Sequence, residues 1–136
     1  MRLLLDTHIW LWSLLDPSRL APQVIAELDS SENEIWISPI SVWESLILDS
    51  KGRIDLGDDP AAWVRQALAR VPLREAALTH EISIRSTQMN IPHADPADRF
   101  LAATASVHEL TLVTADERLI TSRAISVFAN RTWSAN

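Results

Sequence analysis

No cysteine occurs in the sequence, which excludes a disulfide framework and any thiolate metal site. The four histidines do not stand at the spacings of a zinc site. No apolar run approaches the ~18 residues that cross a bilayer. The opening Met1-Arg2-Leu3-Leu4-Leu5-Asp6 places an acid too early for a signal-peptide core. These absences predict a soluble, unprocessed protein with no membrane partner, and a reducing, cytoplasmic setting suits the missing thiols. Glycine is scarce: Gly52 and Gly57 both fall in the stretch Lys51 to Asp59, which reads as a loop. Tyrosine is missing, and Lys51 is the sole lysine beside eleven arginines. A net charge of −6 argues against a broadly basic nucleic-acid surface. That total misleads if acids converge on metal, since two divalent ions would leave about −2 and a local groove could still be basic.

What is present is apolar: 47% of 136 residues, enough for one core and one domain spanning 1–136. Arg2 to Leu5 reads as a buried strand stopping at Asp6, with a helix from Thr7 to Leu15. Glu34 to Ser38 reads as a second strand, followed through Pro39-Ile40-Ser41 by a helix from Val42 to about Leu48. Further helices are predicted over Ala61 to Ala69, Thr79 to Gln88 and Pro96 to His108, with a short one near Glu117. Strands are predicted at Val71 to Arg74, Thr111 to Thr114 and Ile125 to Phe128, and a loop at Asn90 to Ala94. Apolar strands alternating with helices give an α/β fold with a parallel sheet covered on both faces. No repeat or linker interrupts it. The six tryptophans, with Trp10, Trp12 and Trp43 nearest the acids in sequence, read as core or interface anchors rather than base-stacking platforms.

Ligands of open parallel sheets bind beyond the carboxyl ends of the strands. Asp6, Glu44, Asp98 and Asp116 all fall there, each at or near a helix start, with Asp95 one turn before Asp98. Each has a structural explanation when taken singly. Ser41-Val42-Trp43-Glu44 has the pattern of a capping box, as does Thr114-Ala115-Asp116-Glu117. Asp95 suits an N-cap before Pro96 and could pair with Arg99, and Asp6 could cap the helix that follows it. Taken jointly, they would carry carboxylates toward one cleft. Clustered carboxylates repel unless a cation neutralises them, and an all-oxygen set selects Mg2+ or Mn2+ over zinc. Phosphoryl transfer is the chemistry that uses such sites most often.

The runs Leu3-Leu4-Leu5-Asp6-Thr7-His8, Ile37-Ser38-Pro39-Ile40-Ser41-Val42-Trp43-Glu44, Asp95-Pro96-Ala97-Asp98-Arg99-Phe100-Leu101-Ala102-Ala103-Thr104-Ala105 and Leu112-Val113-Thr114-Ala115-Asp116 resemble the successive motifs of the PIN-domain family. They stand in the family's order, cover almost the whole chain, and are most similar to the VapC toxins. The resemblance implies a PIN-like (Rossmann-like) three-layer sandwich and a Mg2+- or Mn2+-dependent endoribonuclease. It also implies an RNA substrate, a VapB-like antitoxin partner and a homodimer. Asp6, Glu44, Asp98 and Asp116 match the catalytic, metal-binding acids, with Asp6 and Asp98 nearest the principal ion. Asp95 belongs to the Asp-Pro-x-Asp-Arg variant, where binding a second ion, holding Arg99 or capping the helix are all open to it. Thr114 matches the hydroxyl that steadies the site. Ile120-Thr121-Ser122-Arg123 departs from the variant's common form, which carries a tyrosine.

Two other readings compete with this one. A phosphorylated receiver needs a well-placed catalytic lysine, and Lys51 lies in the glycine-containing loop. A noncatalytic PIN module binding RNA or protein is opposed by the presence of all four acids.

Overall fold

The computed structural model describes residues 1–91 and 95–131. Five short strands, β1 (Arg2–Leu5), β2 (Glu34–Ile37), β3 (Arg74–Glu75), β4 (Thr111–Thr114) and β5 (Val127–Ala129), form one sheet ordered β3-β2-β1-β4-β5. Every pairing is parallel, with Leu5 opposite Val113 on the central pair. Parallel strands need crossovers, and helices supply them: α1 (Thr7–Leu15), α2 (Pro22–Asp29), α3 (Pro39–Ser50), α4 (Pro60–Arg70), α5 (His80–Gln88), α6 (Pro96–Val107) and α7 (Glu117–Ile120).

The central strands are apolar at Leu3, Leu4, Leu5, Leu112 and Val113 because both faces are covered there. Leu3, Leu5 and Val113 pack with Ile9 and Trp10 of α1, Val24 of α2 and Val64 of α4 on one side. Leu4 and Leu112 point the other way, onto Leu101, Ala102 and Ala105 of α6 and Leu119 of α7. The two-residue period of a strand thus sorts one run of leucines into two cores. Chain order reverses direction across the sheet between β1 and β4, so the crevice at their carboxyl ends is the natural ligand position. Asp6 and Asp116 stand beside it.

Several local expectations are corrected. α3 begins at Pro39 rather than Val42, because Ser38 caps it through a bond accepted from the Ile40 N–H at 3.0 Å, and proline suits the first helical position. Ser41 is therefore inside the helix and fully buried, not a capping residue, and Glu44 lies in the second turn. Thr114 closes β4, whereas Asp116 caps α7, so the second capping box is also displaced. α2 has no counterpart among the predicted elements: its N-cap is Ala21, which offers no side-chain acceptor, so only Pro22 marks its start. β3 starts at Arg74 because Val71 ends α4 and is half exposed. β5 lies two residues later than expected at its start. Of the predicted loop at Asn90 to Ala94, residues 92–94 lie outside the described residues. Among the described residues, no helix is long and apolar enough to cross a membrane.

Candidate active site

Asp6 is the last residue before α1 and is only 7% exposed. Its Oδ1 accepts from the Thr7 N–H at 2.7 Å and its Oδ2 from the Thr114 hydroxyl at 2.6 Å. Capping and site-building are therefore carried by one carboxylate. Burial raises its pKa, and the Thr114 hydrogen bond and nearby His8 oppose that rise only in part. Thr114 joins two strand ends, since its Oγ1 also accepts from the Asp116 N–H at 3.0 Å.

Glu44 reaches the same crevice from α3. The Thr7 hydroxyl donates to Glu44 Oε1 at 2.6 Å and lies 2.9 Å from Ser41 Oγ, so a buried threonine after β1 fixes an acid on another element. Burial raises the Glu44 pKa, and Asp6 and Asp95 add to the rise. Ser41 supports this arrangement from beneath. Neither a cap pattern nor helical periodicity pointed to Thr7; its signal was only its place directly after the strand-end acid.

On the opposite wall, Asp95 caps α6 by accepting the Asp98 N–H at 2.9 Å. Asp98, in that helix's first turn, has its pKa pushed up to about 7 by burial first and then by Asp95, Asp6, Asp116 and Glu44. Asp116 goes the other way: bonds from Arg118 lower its pKa, with Arg118 Nη2 2.7 Å from Oδ2. The same Nη2 donates to Asp98 Oδ2 at 3.3 Å, so Arg118 spans two acids. Arg99 does not reach Asp95; it donates to the Met89 and Ile91 carbonyls, each at 3.0 Å, and holds the approach to α6. His8 and Arg118 leave no signal as site residues in the sequence, because neither follows a helical or strand period.

These elements deliver Asp6, Glu44, Asp95, Asp98 and Asp116 to one cleft of about 380 Å³, with His8, Trp12 and Arg118 also on its walls. Among the described residues, no three His, Asp or Glu side chains stand in ligand geometry about a single point. The donor chemistry nevertheless suits a hard divalent cation. The acids offer oxygen alone, and three of them are held above their ordinary pKa by burial and mutual repulsion, which a cation would relieve.

A PIN-domain family model matches residues 3–123. The chain belongs to the PIN-domain family. Ribonuclease VapC22 of Mycobacterium tuberculosis is 32% identical to it over 123 residues, covering 88% of this chain and 91% of the relative. VapBC2 from Rickettsia felis, solved with a fragment of promoter DNA, superposes with a TM-score of 0.70 at 17% identity, over 98% of this PIN domain and 100% of that chain. FitAcB from Neisseria gonorrhoeae gives 0.61 at 24% identity, over 94% and 97% respectively. The five-stranded parallel sheet with helices on both faces is the PIN-like α/β fold. Of the core and interface roles expected for the tryptophans, Trp10 takes the first, interior at 2%, whereas Trp43, at 56% exposed, does not pack in the core.

Proposed function

We propose that this PIN domain is an endoribonuclease, the toxin of a toxin–antitoxin pair, which hydrolyses RNA with Mg2+ or Mn2+ held by Asp6, Glu44, Asp98 and Asp116. The single observation that carries the reading is the convergence of acids from four separate elements on one cleft, three of them with raised pKa values. Such an energetically costly cluster is a functional signature. The chain's 32% identity to a VapC ribonuclease supports RNA as the substrate class.

When bound, divalent ions supply Lewis acidity: they neutralise phosphoryl charge and acidify an attacking water. The chain's own residues prepare the site. Thr114 and the Thr7 N–H hold both oxygens of Asp6 in place, and the Thr7 hydroxyl aims Glu44. Asp98 and Asp95, anchored on α6, complete the opposite wall, and we assign Asp95 to the cap with access to a second ion. Arg118 neutralises Asp116 and steadies Asp98 until metal arrives. Activity should require Mg2+ or Mn2+ and leave a 5′-phosphate and 3′-hydroxyl. Cleavage that persists in EDTA, or ends in a 2′,3′-cyclic phosphate, overturns the mechanism.

Several structural neighbours are toxin–antitoxin complexes, among them VapBC from Salmonella typhimurium, solved bound to DNA, at TM-score 0.68 and 18% identity. A VapB-like antitoxin is accordingly the partner we assign. It lays an apolar helix against α1, α2 and α4, where Leu14, Leu28, Val71 and Leu73 line a groove of about 280 Å³, and places a basic side chain near the acids. Trp10 of α1 lines the floor of that groove and is only 2% exposed. Copurification with a neighbouring gene product that stops cleavage is the expected result. Sedimentation of the isolated chain tests the homodimer, and fractionation tests the cytoplasm.

The noncatalytic alternative has one observation in its favour, the Arg118 bridge across Asp98 and Asp116, since a guanidinium can fill a cation's role. Saturating Mg2+ should raise the melting temperature if metal displaces that bridge, and should leave it unchanged if the bridge is permanent.

A further inference from the structure

A second groove, of about 350 Å³, opens directly beside the acid cleft and shares Glu44 and Asp95 with it. Trp43, Ile47, Lys51, Arg53 and Pro96 form its other walls. Trp43 is the most exposed large apolar side chain among the described residues, at 56%. It precedes Glu44 on α3, so the helix that turns the acid inward also sets the indole at the rim.

The cations at the far end are placed by the backbone. Gly52 follows the end of α3 with φ 71°, a left-handed conformation that favours glycine, and its N–H donates to the Asp49 carbonyl at 2.9 Å. The Arg53 N–H donates to the Leu48 carbonyl at 3.0 Å, closing the turn. Lys51 and Arg53 are exposed and make no ion pair among the described residues. The nearest acid in sequence, Asp49, is occupied by the Leu56 N–H at 2.8 Å. A helix C-terminus alone would favour cations there. It would not explain a bare indole between those cations and the cleft.

We infer that this groove is a binding subsite for the single-stranded RNA flanking the scissile phosphate, with a base stacked on Trp43 and backbone phosphates on Lys51 and Arg53. The assignment rests on the ribonuclease reading and extends it to a substrate form. An aromatic face and a pair of unneutralised cations is the combination that holds single strands, whereas a base within a duplex has no face to offer. A protein helix would want a continuous apolar strip, and here the apolar floor is interrupted at both ends by charge. The groove's continuity with Glu44 and Asp95 lets one strand occupy both.

The test uses a short, fluorescently labelled RNA of randomised sequence, with binding measured by anisotropy in the cleavage-silenced Asp6→Asn chain, and cleavage kinetics measured in the otherwise parental chain. Trp43→Ala should weaken binding roughly ten-fold or more, and Trp43→Phe should restore most of it. Lys51→Ala with Arg53→Ala should reduce the slope of log affinity against log salt by about 1.4, two contacts at ~0.7 each. In cleavage, KM should rise while kcat stays near the parental value, and melting curves should overlay because all three side chains are exposed. Duplex RNA should compete poorly. Parental binding and KM in both variants overturn the subsite, as does undiminished RNA affinity in a Trp43→Ala chain that has lost a dimer in sedimentation. If instead the parental chain cuts no RNA, the ribonuclease reading itself falls.

Discussion

The two walls of the acid cleft are built on opposite principles. On one, Asp6 and Glu44 are locked by short bonds from Thr7 and Thr114, buried side chains whose hydroxyls have no other acidic partner. On the other, Asp95, Asp98 and Asp116 sit at helix starts nearer solvent and are balanced by a guanidinium. The first wall resembles a rigid template, the second an adjustable clamp. Rigid placement costs stability when the acids ionise, and the clamp leaves room for charge to be exchanged.

The largest expected effect comes from removing one charge from each wall. Asp6→Asn and Asp98→Asn should each reduce cleavage by orders of magnitude. Asn caps as well as Asp, so Asp6→Asn keeps the α1 cap through its amide oxygen but needs the Thr114 hydroxyl to turn and accept from the amide nitrogen, whereas Asp98→Asn loses a dipole interaction of roughly 0.3 to 1 kcal/mol. Relief of repulsion should offset that loss, leaving both variants as stable as the parent in EDTA or more so. Mg2+ should raise the parental melting temperature and raise that of either variant less. Near-parental cutting in both variants, or activity lost only in step with unfolding, would break the assignment of both walls.

Next in size is Thr114→Val, which is isosteric and tests the rigid wall alone. It strips a donor from Asp6 Oδ2 and an acceptor from the Asp116 N–H, leaving a buried carboxylate oxygen without its partner. The expected loss is about 1–3 kcal/mol, at about 2–4 °C in Tm for each kcal/mol, measured by thermal melts. Thr114→Ser should recover most of it. A valine variant as stable and active as the parent would show that Asp6 is held by its cap bond alone.

Legibility in the sequence divided along the same line. Strand-end and helix-start positions were readable from apolar runs, prolines and caps, so Asp6, Asp95, Asp98 and Asp116 could be placed at one sheet edge without coordinates. Glu44 was placed too, although for a mistaken reason: Ser38 with Pro39 defines the helix start more strongly than Ser41 does, which moves Glu44 from cap to second turn. Thr7, His8 and Arg118 were not readable as site residues, because their roles depend on which strands are neighbours, and strand order leaves no periodic trace. Trp43 was misjudged for a related reason. Val42, Leu46 and Ile47 beside it on α3 are apolar, yet its own indole is 56% exposed among the described residues, in a groove that Pro96 and Ala97 of α6 also line.

A smaller effect separates the walls by pH. Asp98 binds its proton with a pKa of about 7 in the fold against 3.8 as its ordinary value, and Asp6 and Glu44 are shifted in the same direction. A raised carboxyl pKa means the folded state holds more protons than the unfolded chain, so this contribution is complete below the unfolded value and is lost as pH rises through the folded one. Asp116, shifted down, has the opposite sign, but its window lies at acid pH. Melts in EDTA should therefore show the parent losing stability relative to Asp98→Asn as pH climbs from about 5 to 8, and Mg2+ should suppress the divergence. Parallel curves across that range would remove Asp98 from the repelling cluster.

The smallest expected effect, and the one that addresses the clamp directly, is Arg118→Ala. Its ion pairs to Asp98 and Asp116 involve a side chain that is 46% exposed, so solvent and salt screen them and the stability cost should be small. The informative readout is metal affinity. Asp116 loses the bonds that hold its pKa down, the acids repel more strongly, and the competing guanidinium is gone; all three changes favour a divalent ion over an empty cleft. Mg2+ titrated against melting temperature should then act at lower concentration in Arg118→Ala than in the parent, with the difference shrinking as salt is added. If Mg2+ acts at higher concentration instead, Arg118 is not a cation awaiting displacement but a support that keeps Asp98 and Asp116 aligned for the metal, and the second wall is as rigid as the first.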